Sequence, residues 1–300
     1  MDPDKFSIGP AAGMVRRLDQ VMKVAKSAAT EITVGTISWE KREGNRPTEG
    51  SSGGTYYFDE GTGASVNALG IPDSIAASGY MKLLPEMVSI AHAADKTLRV
   101  SIGSFKVDDE LTKLALMCEE CGVDEVEWNA GCPNLRPSTG QKVIPSYDPE
   151  TMERILRRLK RAGVRPVAVK ISPIDDELIP KLAKIFNESG MVQKVVEVNA
   201  EPNFIMMKGE FKPALEYYGE DNQLYSTGGR AGKPLKEHGL RVVSRMRPLL
   251  RKDILITGVG GIFTGSDVQA YLNAGADNVQ VGTAYFEYGE NIFGDILSGM

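Results

Sequence analysis

The stretch "ILITGVGGIFTGSDVQAYLNAGADNVQVGTAYFEYG", beginning at Ile254, decides the fold. A β-branched run ends in Gly258-Val259-Gly260-Gly261, a helical pattern follows, and a second run ends in Val281-Gly282-Thr283-Ala284. Glycine has no Cβ, so backbone N–H groups in such turns can come close to an anion. Paired glycines at two consecutive strand ends therefore describe a phosphate seat, to which Thr283 can add a hydroxyl. In a β/α barrel this seat lies after the seventh and eighth strands. Phosphate alone does not separate a flavin from a sugar phosphate.

Read outward from there, β-branched runs alternate with helical patterns along nearly the whole chain, the signature of a parallel sheet. Strands are expected near Ser7–Gly13, Glu31–Ser38, Leu98–Gly103, Glu125–Ala130, Pro166–Ile171, Lys194–Asn199, Ile254–Gly258 and Asn278–Gly282. Amphipathic helices such as "ETMERILRRLKRAG" from Glu150 and "SDVQAYLNAGA" from Ser266 lie between them. Eight such units close a (β/α)8 TIM barrel, here a single domain over residues 1–300, with its active site at the C-terminal ends of the strands. Two long insertions follow strands at that face, from Trp39 to about Pro72 and from about Ala200 to Pro234. Within the second, "TGGRAG" at Thr227–Gly232 is expected to curl over the phosphate.

Composition excludes several classes of function. The formal charge of −5 argues against a nucleic-acid surface, and no run is long and apolar enough for a membrane span. Met1–Ser7 is too polar for a signal peptide, so a cytoplasmic protein is expected. Three cysteines, Cys118, Cys121 and Cys132, make an odd set that suits a reducing compartment. Cys118 and Cys121 form a CxxC within a helical pattern, and no second CxxC completes a zinc site. They read as ordinary residues on or beside a buried helix face.

The fourth strand runs into "VEWNAGCPNLRPSTGQKVIPSYDPE", where Asn129 and Asn134 bracket Cys132. Two amides can read a planar heterocycle with alternating C=O and N–H groups, and a cysteine can take a proton as thiolate. Lys170 lies inside the apolar run "PVAVKIS". A lysine there is costly to bury unless an anionic or electron-rich partner faces it.

These residues resemble a known family. "NAGCPN" is similar to the "N-x-S-C-P-N" segment of class 1 dihydroorotate dehydrogenases, and "EKREGN" at Glu40–Asn45 to a segment of their class 1A, fumarate-using branch. "GASVNALGIPD" at Gly63–Asp73, "VAVKISP" at Val167–Pro173 and the glycine-rich C-terminal run follow in the family's order. The resemblance implies a flavin mononucleotide (FMN) cofactor and a small pyrimidine substrate, with Cys132 as catalytic base. It places Asn67, Asn129 and Asn134 on the substrate, with Asn199 as a fourth amide for which Asn203 competes. Ala11, Ala12, Gly13 and Lys170 would face the flavin, and Gly229, Gly260, Gly261, Gly282 and Thr283 would hold its phosphate. It further implies removal of a proton from C5 of dihydroorotate by Cys132, hydride transfer from C6 to flavin N5, fumarate as acceptor and a homodimer. Two positions depart from the family pattern. The strand-two lysine is missing from Thr33-Val34-Gly35-Thr36, and Gly131 stands where the family has serine. Alternative readings are an FMN barrel for another pyrimidine, of dihydropyrimidine or tRNA-dihydrouridine type, and a non-redox phosphate-binding barrel.

Overall fold

Strand faces covered by helices favour apolar side chains, and the eight barrel strands of this protein are largely apolar on their outer, helix-facing side, with the buried Glu197 an exception. The computed structural model describes residues 6–49, 54–104, 108–134, 144–209 and 212–300. Met1–Lys5, part of the Met1–Ser7 stretch read as too polar for a signal peptide, and residues 135–143 of the strand-four run lie outside the described residues. The barrel strands are β1 (Ile8–Pro10), β2 (Glu31–Ile37), β3 (Thr97–Ile102), β4 (Glu125–Asn129), β5 (Val167–Ile171), β6 (Val192–Glu197), β7 (Leu255–Val259) and β8 (Asn278–Val281). All their pairings are parallel, in the order β1-β8-β7-β6-β5-β4-β3-β2. The ring closes where Ile8 N donates to Thr30 Oγ1 at 2.8 Å and Thr30 N donates to Ile8 O at 2.8 Å. Gly9 permits that approach, since a Cβ there would stand 2.4 Å from Glu31 O. The first strand is shorter than expected because the chain turns away after Pro10, with Gly13 at φ +103°.

The helices cover the outside. Helix Pro149–Arg161 starts from Asp148, whose carboxylate accepts from Glu150 N and Thr151 N, and buries Met152, Ile155, Leu156 and Leu159 at i, i+3, i+4 and i+7. Helix Gly265–Ala274 begins in a Thr264/Asp267 capping box and stops at left-handed Gly275. Cys118 lies on helix Asp108–Glu120, fully buried, and burial pushes its thiol pKa well up. Among the described residues, no helix is long and apolar enough to cross a membrane.

Charged and polar side chains fill the axis below the site. Arg99 is fully buried, with its Nη atoms 2.9 and 3.0 Å from the Glu31 oxygens and Nε 2.6 Å from Glu125 Oε2. Lys194 Nζ reaches the same Glu125 oxygen at 2.9 Å. Burial alone would lower the Arg99 pKa, but Glu31, Glu125 and Glu127 hold it above its ordinary value. One layer higher, Gln280 Nε2 donates across the barrel to Glu127 Oε2 at 3.1 Å and lies 3.4 Å from Thr33 Oγ1.

The two insertions build a common cover. Glu201–Phe204, Gly228–Gly232, Ala64–Asn67 and Tyr56–Asp59 pair in that order as one antiparallel sheet, and Leu224–Tyr225, Tyr217–Tyr218 and Arg46–Pro47 as another. Val66, Ala68, Ala214, Leu215 and Tyr217 form its own small core. The "TGGRAG" segment is thus mainly a strand rather than a loop curled over phosphate. Glycines occur there because a Cβ at Gly228 would lie 2.6 Å from Asn67 O.

Candidate active site

The C-terminal ends of the strands open into one cavity of about 1200 Å³, its mouth included. Of the residues singled out in the sequence, Ala11, Ala12, Gly13, Asn67, Asn129, Cys132, Asn134, Lys170, Asn199, Gly260, Gly261, Gly282 and Thr283 line it. Gly229 does not. It pairs with Asn67 across the cover sheet, and a Cβ there would meet Ala200 Cβ at 2.8 Å and Asn134 Nδ2 at 3.2 Å. Gly229 therefore belongs beside the amides rather than with the phosphate glycines.

The four amides form two pairs. Asn134 Nδ2 donates to Asn67 Oδ1 at 2.8 Å, and Asn199 Nδ2 donates to Asn129 Oδ1 at 3.0 Å. Asn129 Nδ2 in turn donates to Thr36 Oγ1 at 3.0 Å, and Asn45 Nδ2 donates to Asn134 O at 3.1 Å. Asn199 is thus tied into the site, whereas Asn203 is exposed on the cover strand. Cys132 is half-buried between Asn129 and Asn134 in the loop after β4.

Gly131 has no room for the family's serine. A Cβ there would lie 2.5 Å from Ser172 N and 2.7 Å from Ser172 Oγ. The hydroxyl comes instead from Ser172, which donates to Gly131 O at 3.0 Å. Gly35 is crowded in the same way, with a Cβ 2.4 Å from Ser101 O and φ at +105°. No lysine can stand at that point of β2 without moving β3.

Lys170 is 95% buried on β5 and lines the cavity; no hydrogen bond or ion pair joins its ammonium to another described residue. Burial lowers its pKa, against the opposing pull of Glu127. A buried ammonium beside a cavity suits an anionic or electron-rich ligand edge.

At the far end, Gly260 and Gly261 adopt φ +115° and +66°, and Thr283 Oγ1 lies 2.9 Å from Ser65 Oγ. A Cβ on Gly261 would point at Lys236 Cβ, 2.6 Å away, not into the cavity. A Cβ on Gly282 would meet only Ala11 Cβ, at 3.7 Å, so here the absent side chain is what leaves the cavity open. The bare glycine turns, two hydroxyls and a buried lysine fit a flavin bound through a phosphate. Sequence reasoning missed Thr36, Ser65, Tyr56 and Arg16, all of which line the cavity. Ser65 lies within the Gly63–Asp73 segment without standing out there, Thr36, Tyr56 and Arg16 belong to no recognisable motif, and only the closure of the barrel gathers them.

Residues 5–300 match the protein family described as Dihydroorotate dehydrogenase. The chain belongs to the dihydroorotate dehydrogenase family. Among relatives, it is 29% identical over 229 residues to "Dihydroorotate dehydrogenase B (NAD(+)), catalytic subunit" of Thermoplasma volcanium, covering 76% of this chain and 68% of that protein. It is 28% identical over 280 residues to "Putative dihydroorotate dehydrogenase A (fumarate)" of Streptococcus pyogenes serotype M1, covering 92% of this chain and 81% of the relative. It is also 31% identical to "NAD-dependent dihydropyrimidine dehydrogenase subunit PreA" of Escherichia coli K12, over 69% of this chain and about half (49%) of that protein. The fold of the dihydroorotate dehydrogenase family is further seen in the Eimeria tenella enzyme crystallised with ferulenol. It has a TM-score of 0.78 at 19% identity, over 98% of this chain and 80% of that one. The chain is an oxidoreductase of a family whose members act on CH–CH bonds.

Proposed function

We propose that this dehydrogenase oxidises dihydroorotate to orotate with bound FMN. The observation that carries the reading is the grouping, in one cavity, of a thiol, two amide pairs, a buried lysine and glycine turns. When bound, FMN supplies the hydride acceptor. Gly260, Gly261, Gly282 and Thr283 hold its phosphate, Ala11, Ala12 and Gly13 lie along it, and Lys170 faces its electron-rich edge. Asn67 and Asn134 read one side of the pyrimidine ring, while Asn129 and Asn199 read the other. Because each amide is already oriented by a neighbour, little side-chain freedom is lost when the ring binds. Cys132 Sγ takes the proton from C5 of the substrate. The cover sheet keeps bulk water from the reacting atoms.

Fumarate as acceptor completes the proposal, supported by the S. pyogenes relative's name and by the "EKREGN" segment, whose resemblance to class 1A also favours a homodimer. The protein should be yellow and release about one FMN per chain on heating, identified by chromatography. Anaerobic dihydroorotate should bleach it, and fumarate should restore the colour. Recovery of no flavin after reconstitution refutes the cofactor; a flavin that dihydroorotate never bleaches refutes the substrate.

A further inference from the structure

The cavity lining carries two cations, Arg16 and Lys170, and among the described residues no carboxylate. Lys170 faces the flavin in the reading above, which leaves Arg16 without a role. Arg16 sits in the loop after β1. Its Nη1 donates to Thr36 O at 2.8 Å, and among the described residues no acidic side chain pairs with it. The backbone of Arg16 is held on both sides of its Cα: its N–H donates to Gln20 Oε1 at 2.9 Å, and its carbonyl accepts from Tyr80 Oη at 3.5 Å. A guanidinium has five donors, of which one is used on Thr36.

Thr36 joins Arg16 to the substrate end. The same residue accepts from Asn129 Nδ2 at 3.0 Å through its hydroxyl, so Arg16 and the amide pair share one neighbour on β2. Arg16 and Pro72 also line an outer depression next to the cavity, so the arginine borders both. The adjoining backbone explains why the cation comes from this loop. Gly35, one residue before Thr36, is too tightly packed against Ser101 O to carry a side chain, so that position of β2 cannot supply a charge.

We propose that Arg16 is the specificity-determining residue of the site, selecting a pyrimidine that bears a carboxylate over a neutral one. This rests on the pyrimidine reading given above. A planar fork of donors matches a carboxylate, and the surrounding amides neither repel nor replace it. A neutral ring would offer the guanidinium no charge, leaving it with Thr36 O and the nearby Tyr80 phenol, so it would gain no charge-assisted contact.

The test uses the flavin-loaded protein and equilibrium dialysis of two probes, orotate and uracil, with parent, Arg16→Met and Arg16→Lys. The parent should prefer orotate by roughly 100-fold. Arg16→Met should lose roughly 10- to 100-fold in orotate affinity, the range of one charge-assisted pair, and change uracil affinity by less than about threefold. Arg16→Lys should recover part of the loss, and flavin content should be equal in all three. Orotate held equally by parent and Arg16→Met overturns the assignment, as does equal loss of both probes. A flavin-loaded parent that binds neither probe refutes the pyrimidine reading and Arg16 with it.

Discussion

Glu197, at the end of β6, should make this protein lose stability as pH rises through neutrality. Its side chain points outward to the helices, is fully buried, and has no hydrogen-bond partner for either oxygen among the described residues. Burial pushes its pKa from 4.5 to about 8, with Arg247 opposing. Glu197 in turn raises the pKa of the Tyr271 phenol, as does Asp267 on the same helix as that tyrosine. The unfolded chain releases this proton near 4.5, whereas the folded one keeps it until about 8. Across that window the unfolded state binds fewer protons, so the stability of the fold falls with rising pH. At about 1.4 kcal/mol per pH step, the loss is capped at roughly 5 kcal/mol, and water entering on ionisation would reduce it. Tyr271 carries the effect to the phosphate loop, because its hydroxyl donates to Gly260 O at 2.8 Å and lies 3.0 Å from Val259 O. Flavin retention should therefore weaken alongside stability. The assay is urea unfolding of parent and Glu197→Gln between about pH 5 and pH 9, with flavin content measured in parallel. The parent should lose several kcal/mol relative to the variant as pH rises. Parallel profiles for the two proteins would refute a buried, protonated Glu197.

Cys132→Ser should slow flavin bleaching by dihydroorotate by roughly two to four orders of magnitude, the usual range for a general base. Orotate affinity should stay within a few-fold, and a variant that bleaches as fast as the parent places the base elsewhere. Gly282→Leu fills the cavity beside Ala11, where a Cβ meets no close neighbour, so flavin should be lost with less effect on melting temperature than at Gly261; full flavin content would move the phosphate site. Gly261→Ala should instead destabilise the fold by roughly 1–2 kcal/mol, since φ is +66° and the new Cβ strikes Lys236, and melting of the flavin-free protein reads this directly. Arg99→Met leaves Glu31 and Glu125 without their guanidinium, so stability in urea should drop by roughly 3–5 kcal/mol; a loss below about 1 kcal/mol would show the charges to be independently solvated.

The barrel was legible because its strands repeat one physical demand, an apolar outer side under a helix, and each β-branched run shows it. Boundaries shifted where pairing overrode pattern. β6 begins at Val192, earlier than its β-branched core suggests, because Val167 N on β5 bonds Met191 O and pulls that end into the sheet. The motif residues around Cys132 and the C-terminal glycines were legible for a different reason, since they are contiguous and chemically distinctive. Gly229 was misplaced because a glycine pair looks alike whether it clears space for a phosphate or for Asn134 and Ala200. Gly35 and Gly131 are explained only by backbone from other strands, Ser101 O and Ser172 N, far away in sequence. Arg16 is one arginine in a short loop, and nothing local distinguishes it from Arg17, which pairs with Asp19 in solvent.

The ionic stopper formed by Arg99, Glu31, Glu125 and Lys194 has a kinetic consequence. It fills the axis, so whatever reaches the reacting centre as a small molecule comes from the C-terminal face, where the cavity opens. If the proposed donor and acceptor use the same pocket, they must alternate. The first product has to leave before the acceptor arrives, and double-reciprocal plots at several acceptor concentrations should therefore run parallel instead of crossing.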